Sequence, residues 1–183
     1  MEDDHMDVAI RPISAEHVEG FHRALDDVAR ERKYLAFLEA PALAETREFV
    51  MNNIAKGYPQ FVAIAGGDVV GWCDVIPRDR PIVAHCGVLG MGLLPPFRGK
   101  GNGAALINAT LTEARRKSIM RIELTVYANN KPAIALYERV GFKKEGRLRY
   151  AVLLDGHCMD MILMAIINRP TVVPNDPTSP TRQ

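Results

Sequence analysis

Six consecutive residues, Arg98-Gly99-Lys100-Gly101-Asn102-Gly103, hold three glycines and two positive charges. An apolar run, Val88 to Leu94, precedes them, and a strongly helical run, Ala104 to Lys117, follows. Strand, Gly-rich turn and helix in that order leave bare backbone N–H groups at a helix start. The unpaired N–H groups and the helix dipole both favour an anion there. A chain built this way is expected to hold a phosphate-bearing ligand.

The rest of the chain narrows the setting. Its 183 residues fit one domain. With 48% hydrophobic and 25% charged residues it can bury a core of ordinary size. The formal net charge of +1 argues against nucleic acid as a main partner. No apolar run approaches the length of a membrane span. The acidic start, Met-Glu-Asp-Asp-His, has no apolar signal region. The cysteines, Cys73, Cys86 and Cys158, are dispersed and odd in number. That pattern fits free thiols in a reducing compartment, and neither a disulfide scaffold nor a metal site is expected. The expected location is cytoplasmic.

Periodicity supplies the elements. Residues 1–6 read as a flexible tail and the Pro-rich residues 168–183 as a second, disordered one. Between them, residues 7–167 read as a single domain. Asp7 to Ile13 alternates as a strand. Ser14 caps a helix carrying Val18, Phe21, Leu25 and Val28. A second helix spans Ala42 to Lys56. Gln60 to Ala65 and Val69 to Ile76 form a hairpin around Gly66-Gly67-Asp68. Ile82 to Leu94 reads as a long strand region. After the Gly-rich turn and its helix come a strand (Arg121 to Tyr127), a short helix (Asn130 to Val140), and strands over Phe142 to Leu154 and Cys158 to Ile167. The sum is an α/β protein with a mixed sheet and helices on both faces.

Two motifs compete for the turn. Gly99-Lys100-Gly101-Asn102-Gly103-Ala104 satisfies Gly-x-Gly-x-x-Ala, a dinucleotide fingerprint. That fingerprint needs an acidic residue at the end of the following strand, and Glu123 sits mid-strand instead. The other motif is Arg-x-x-Gly-x-Gly, from Arg98, Gly101 and Gly103. About thirty residues on, Asn130-Lys131-Pro132-Ala133 and Tyr137-Glu138-Arg139-Val140-Gly141-Phe142 follow. Both motifs, at this separation, resemble the GNAT superfamily of acyl-CoA-dependent N-acetyltransferases.

The resemblance implies a sheet of about seven mostly antiparallel strands with a splayed fourth strand. It implies acetyl-CoA as co-substrate and no metal. Arg98, Gly99, Lys100, Gly101, Asn102, Gly103 and Ala104 would wrap the pyrophosphate. The edge formed by Met91, Leu93 and Leu94 would pair with the pantetheine amides, one N–H polarising the thioester carbonyl. Asn130 would contact the cofactor near the splay. Tyr137 would act as general acid toward the leaving thiolate.

The base is a departure from the pattern. Many relatives place a glutamate on the fourth strand, and Val88 to Leu94 has no acid. His85, at the start of the run His-Cys-Gly-Val-Leu-Gly-Met-Gly-Leu, is the expected proton relay, because similar runs occur in members acting on small amines. Asp74 and Glu31 are further candidates. A site without a strong base suits amines of low pKa. About a tenth of a free α-amine is neutral at pH 7, against roughly one lysine side chain in two thousand. The expected acceptor is a free amino acid or related small amine, attacking acetyl-CoA directly. A protein N-terminal acetyltransferase and a non-catalytic acyl-CoA sensor are the alternatives. Family likeness also suggests a homodimer.

Overall fold

A computed structural model describes residues 7–168. The two expected tails lie outside that range, except Asn168. Its side chain accepts from Arg115 and donates to the Ile119 carbonyl, so it closes the domain and is not tail.

Seven strands form one sheet in the order β1-β2-β3-β4-β5-β7-β6. They are β1 (Ala9–Pro12), β2 (Gln60–Ala65), β3 (Asp68–Pro77), β4 (Cys86–Leu93), β5 (Arg121–Tyr127), β6 (Lys143–Leu154) and β7 (His157–Ile167). Every neighbouring pair is antiparallel except β4 with β5. The helices are α1 (Val18–Arg30), α2 (Leu43–Lys56), α3 (Asn102–Arg116) and α4 (Lys131–Arg139). The order and types expected from the sequence are all present.

Period-2 alternation divides the core between the two faces. On one face Val62 and Trp72 pack against Val18, Phe21 and Leu25 of α1 and Val50 of α2. On the other, Cys73, Val75 and Leu89 pack against Leu106, Ile107 and Leu111 of α3 and Tyr137 of α4. A bulge between Ala63 and Ile64 fixes the parity, so from Gly71 onward even-numbered β3 residues face α1 and α2.

One expected strand stretch differs. Pro81–Val83 is a 3₁₀ turn, not the start of β4. Proline at its first position has no N–H for a ladder, and Ile82 is 85% exposed, so no neighbouring strand covers it.

Candidate active site

β4 and β5 part company. They pair only over Cys86–Val88 with Arg121–Glu123. Beyond Val88, β4 stays with β3 as far as Leu93, and β5 stays with β7 as far as Tyr127. A parallel pair whose outer partners hold it apart leaves main-chain groups of Leu89–Leu93 without a ladder. A cavity of about 560 Å³ opens in this fork. Met91, Gly92 and Leu93 line one side, and Thr125 and Val126 line the other. Val28 and Tyr34 close it from α1 and the loop after it, while α4 closes it with Asn130, Leu136 and Tyr137.

The Gly-rich turn forms the outer end of the cavity. Gly99 (φ 73°) and Gly101 (φ 89°) are both left-handed, and Gly101 is the N-cap of α3. An added Cβ at either would meet nothing within 4 Å, so backbone conformation, not space, demands glycine there. Gly103 is required for a different reason: its Cβ would come within 3.0 Å of Leu136 Cδ2, where α3 approaches α4. The first helical bond of α3 runs from Ala105 N to Gly101 O (3.1 Å), so the N–H groups of Asn102, Gly103 and Ala104 precede it and are free of helix partners.

The side chains expected to add charge behave unequally. Lys100 is exposed and makes no ion pair among the described residues. Arg98 is already engaged: Nε donates to the Leu93 carbonyl (2.6 Å), the guanidinium pairs with both oxygens of Glu31, and its face stacks 4.8 Å from the Tyr34 ring. Arg98 also lines the cavity, so it ties the roof to β4 at the edge of the expected phosphate site. The loop 31–42 is pinned on the other arm of the fork too, because Tyr127 Oη donates to the Leu35 carbonyl (3.3 Å). The loop thus roofs the cavity from both sides. Replacing Glu31 with glutamine removes one partly exposed charged link of about 1 kcal/mol. We expect the melting midpoint to fall by about 2–4 °C and the KM for acetyl-CoA to rise. Calorimetry and steady-state kinetics check this, and an unchanged KM would separate the roof from the cavity.

Of the other residues expected in the site, Met91, Leu93, Gly99, Gly101, Gly103 and Ala104 line the cavity. Asn102 lies beside it and donates to the Phe97 carbonyl (3.1 Å). Leu94 is half-buried against both core clusters. Asn130 lines the cavity and also caps α4, accepting from Ala133 N (3.3 Å), so its two expected roles coexist. Tyr137 is nearly buried, packed edge-on against Phe142 at 5.9 Å. Burial, aided by Cys73 nearby, pushes its phenol above the usual tyrosine value, so it keeps its proton at neutral pH.

His85 is not brought to the site. It is exposed at the closed end of the fork, and its carbonyl accepts from Met120 and Arg121 N–H. Six residues of strand, about 20 Å, separate it from Met91. β4 runs from His85 toward the cavity, and its first three residues are zipped to β5. From the loop 31–42, Tyr34 reaches the cavity. Tyr34 is held in place by Arg98 across the fork, a contact that no local pattern encodes.

Comparisons with known proteins show the family to which this fold belongs. The acetyltransferase (GNAT) family model matches residues 22–142. The chain is 33% identical over 110 residues to the L-amino acid N-acetyltransferase of Escherichia coli, covering 60% of this chain and 68% of that one. It is 26% identical over 132 residues to the L-methionine sulfoximine/L-methionine sulfone acetyltransferase of Pseudomonas aeruginosa, covering 70% and 76%. The fold matches the crystal structure of a phosphinothricin acetyltransferase from Sinorhizobium meliloti in complex with acetyl-CoA, with a TM-score of 0.84 at 21% identity over 96% of this chain and 97% of that one. The chain belongs to the GNAT family and is an acetyl-CoA-dependent N-acetyltransferase.

Proposed function

We propose that this enzyme acetylates the α-amine of a free amino acid or a close analogue. The carrying observation is the fork itself. Its cavity of about 560 Å³ is roofed by the loop 31–42, which is tied to both arms. That enclosure suits a small acceptor better than a peptide lying in an open groove. Two relatives named for acting on amino-acid substrates support the same reading.

The diphosphate of acetyl-CoA lies against the N–H groups of Asn102, Gly103 and Ala104, at the positive end of α3. Lys100, exposed beside the turn, is the cation for that anion; Arg98 holds the roof. The pantetheine runs along the unpaired edge of β4 and carries the thioester toward the apex of the fork. A main-chain N–H there stabilises the developing oxyanion. The amine attacks directly, since both substrates are held together. Tyr137 donates a hydrogen bond to the departing sulfur. Its raised pKa makes full proton transfer to a thiolate of pKa about 8.5 uphill, so it acts by hydrogen bonding more than by giving up its proton.

Thiol release from acetyl-CoA across a panel of amines tests the substrate. We expect free amino acids and their analogues to turn over and lysine-bearing peptides to be poor. Preference for a peptide N-terminus or a peptide lysine would overturn the reading. A homodimer and a reducing compartment belong to the same proposal; sedimentation tests the first, and the free thiols of Cys73, Cys86 and Cys158 fit the second.

A further inference from the structure

A buried acid lies at the apex of the fork. Asp74 is 7% exposed, on the face of β3 that looks toward α1 and α2. Its antiparallel neighbour on β4 is Gly90, only two residues past the last position paired with β5. A Cβ on Gly90 would stand 3.2 Å from Asp74 Oδ1, so the carboxylate leans across onto the β4 backbone where a side chain would otherwise be. Among the described residues the carboxylate has no ion pair and no hydrogen-bond donor. Two positions before Gly90 on the same face, Val88 is 42% exposed, so this side of the apex is open to an incoming molecule.

A second polar group adjoins it. Gln60 is the neighbour of Asp74 on β2 and is 2% exposed. Its Oε1 accepts from Asn53 on α2 (2.9 Å), while its Nε2 has no acceptor. Burying Gln60 Nε2 without a partner costs stability, and with the unpaired Asp74 carboxylate beside it on the next strand, the pair points to a ligand. Tyr137 lies on the opposite face, in the cluster with Cys73 and Met91. The fork therefore has an acid on one side of the sheet plane and a hydrogen-bond donor on the other.

We infer that Asp74 is the proton acceptor for the substrate amine. The proposal rests on the N-acetyltransfer reading above. Asp74 takes a proton from the ammonium and releases it to solvent. The neutral nitrogen forms the N–C bond, and the C–S bond breaks. The remaining surplus amine proton passes to the sulfur, so the products are the amide and the free thiol of coenzyme A. Burial pushes the Asp74 carboxyl up to about 7, a value suited to the exchange. No charged partner contributes to that shift, since Gln60 and Asn53 are neutral. Cys73, the adjacent residue on β3, packs into the cluster on the other face, and burial keeps it a thiol.

The test is Asp74→Asn, using an amine that the wild-type enzyme acetylates. We expect turnover at pH 7 to fall roughly 100-fold, with acetyl-CoA affinity unchanged and the acid limb of the kcat/KM profile near pH 7 lost. The loss should shrink above pH 9, where the amine is already neutral. The stability sign runs the other way. A carboxyl whose folded pKa exceeds its unfolded value of about 3.9 destabilises the fold as pH rises through about 7. The variant should therefore melt several degrees higher at pH 8 and no higher at pH 4. Gly90→Ala, which pushes a methyl group against the carboxylate, gives a second variant; it should lower kcat for the amine and spare acetyl-CoA binding. Wild-type rates and pH profile in Asp74→Asn, or loss of acetyl-CoA binding with turnover, would overturn the inference. A wild type that acetylates no α-amine would instead defeat the substrate reading.

Discussion

Replacing Tyr137 with phenylalanine lowers turnover by roughly 100-fold, the usual worth of one hydrogen-bond donor aimed at charge that develops in the transition state. Acetyl-CoA affinity stays within about twofold, because the ring remains in place. The residue lines the fork, and its ring packs edge-on against Phe142, so the substitution removes only the hydroxyl. A core role alone predicts the opposite pattern, since burying phenylalanine there would cost nothing in turnover. Pre-steady-state kinetics separate the two outcomes: chemistry, not product release, should slow. Unchanged turnover would remove Tyr137 from the reaction.

Replacing Gly101 with valine produces the complementary phenotype. Gly101 has φ 89° and sits at the N-cap of α3, where a side chain would meet nothing within 4 Å. The damage is therefore conformational. A left-handed β-branched residue costs about 1–2 kcal/mol or more, and relaxing that strain swings the N–H groups of the turn off the diphosphate. Acetyl-CoA affinity should fall roughly 10- to 100-fold, while kcat at saturating acetyl-CoA is largely kept. Isothermal titration reads the first quantity and steady-state kinetics the second. Tyr137 and Gly101 thus divide rate from affinity, as two ends of one cavity should. Equal affinity in the valine variant would show that the turn does not hold the diphosphate.

The local features of this chain announced themselves. Left-handed backbone at Gly66 and Gly67 turns the β2–β3 hairpin, and Asn130 caps α4 with its own side chain. Such signals act within four residues, and sequence spacing reads them directly. The misplaced features depend on distant partners. Ile82 and Val83 have strand-forming side chains, yet Pro81 and the lack of a neighbouring strand make them a 3₁₀ turn. His85 abuts a strand that leads to the cavity, but only the pairing of β4 with β5 shows that it stands at the closed end. The pairing of Arg98 with Glu31, 67 positions away, is likewise invisible to local spacing. Asp74 had a weak local signal: one acid within the otherwise apolar run Val69 to Ile76, after its first residues. Its closeness to Gly90 comes from register, which composition does not encode.

The fork between β4 and β5 is the feature on which the whole account turns. A crystal structure of the enzyme with coenzyme A tests it most directly. The expected complex places the diphosphate on the N–H groups of Asn102 to Ala104, lays the pantetheine along Met91 to Leu93, and puts the sulfur between Tyr137 and Gly90. A nucleotide bound outside the fork, or a pantetheine that leaves the β4 edge unpaired, would contradict it.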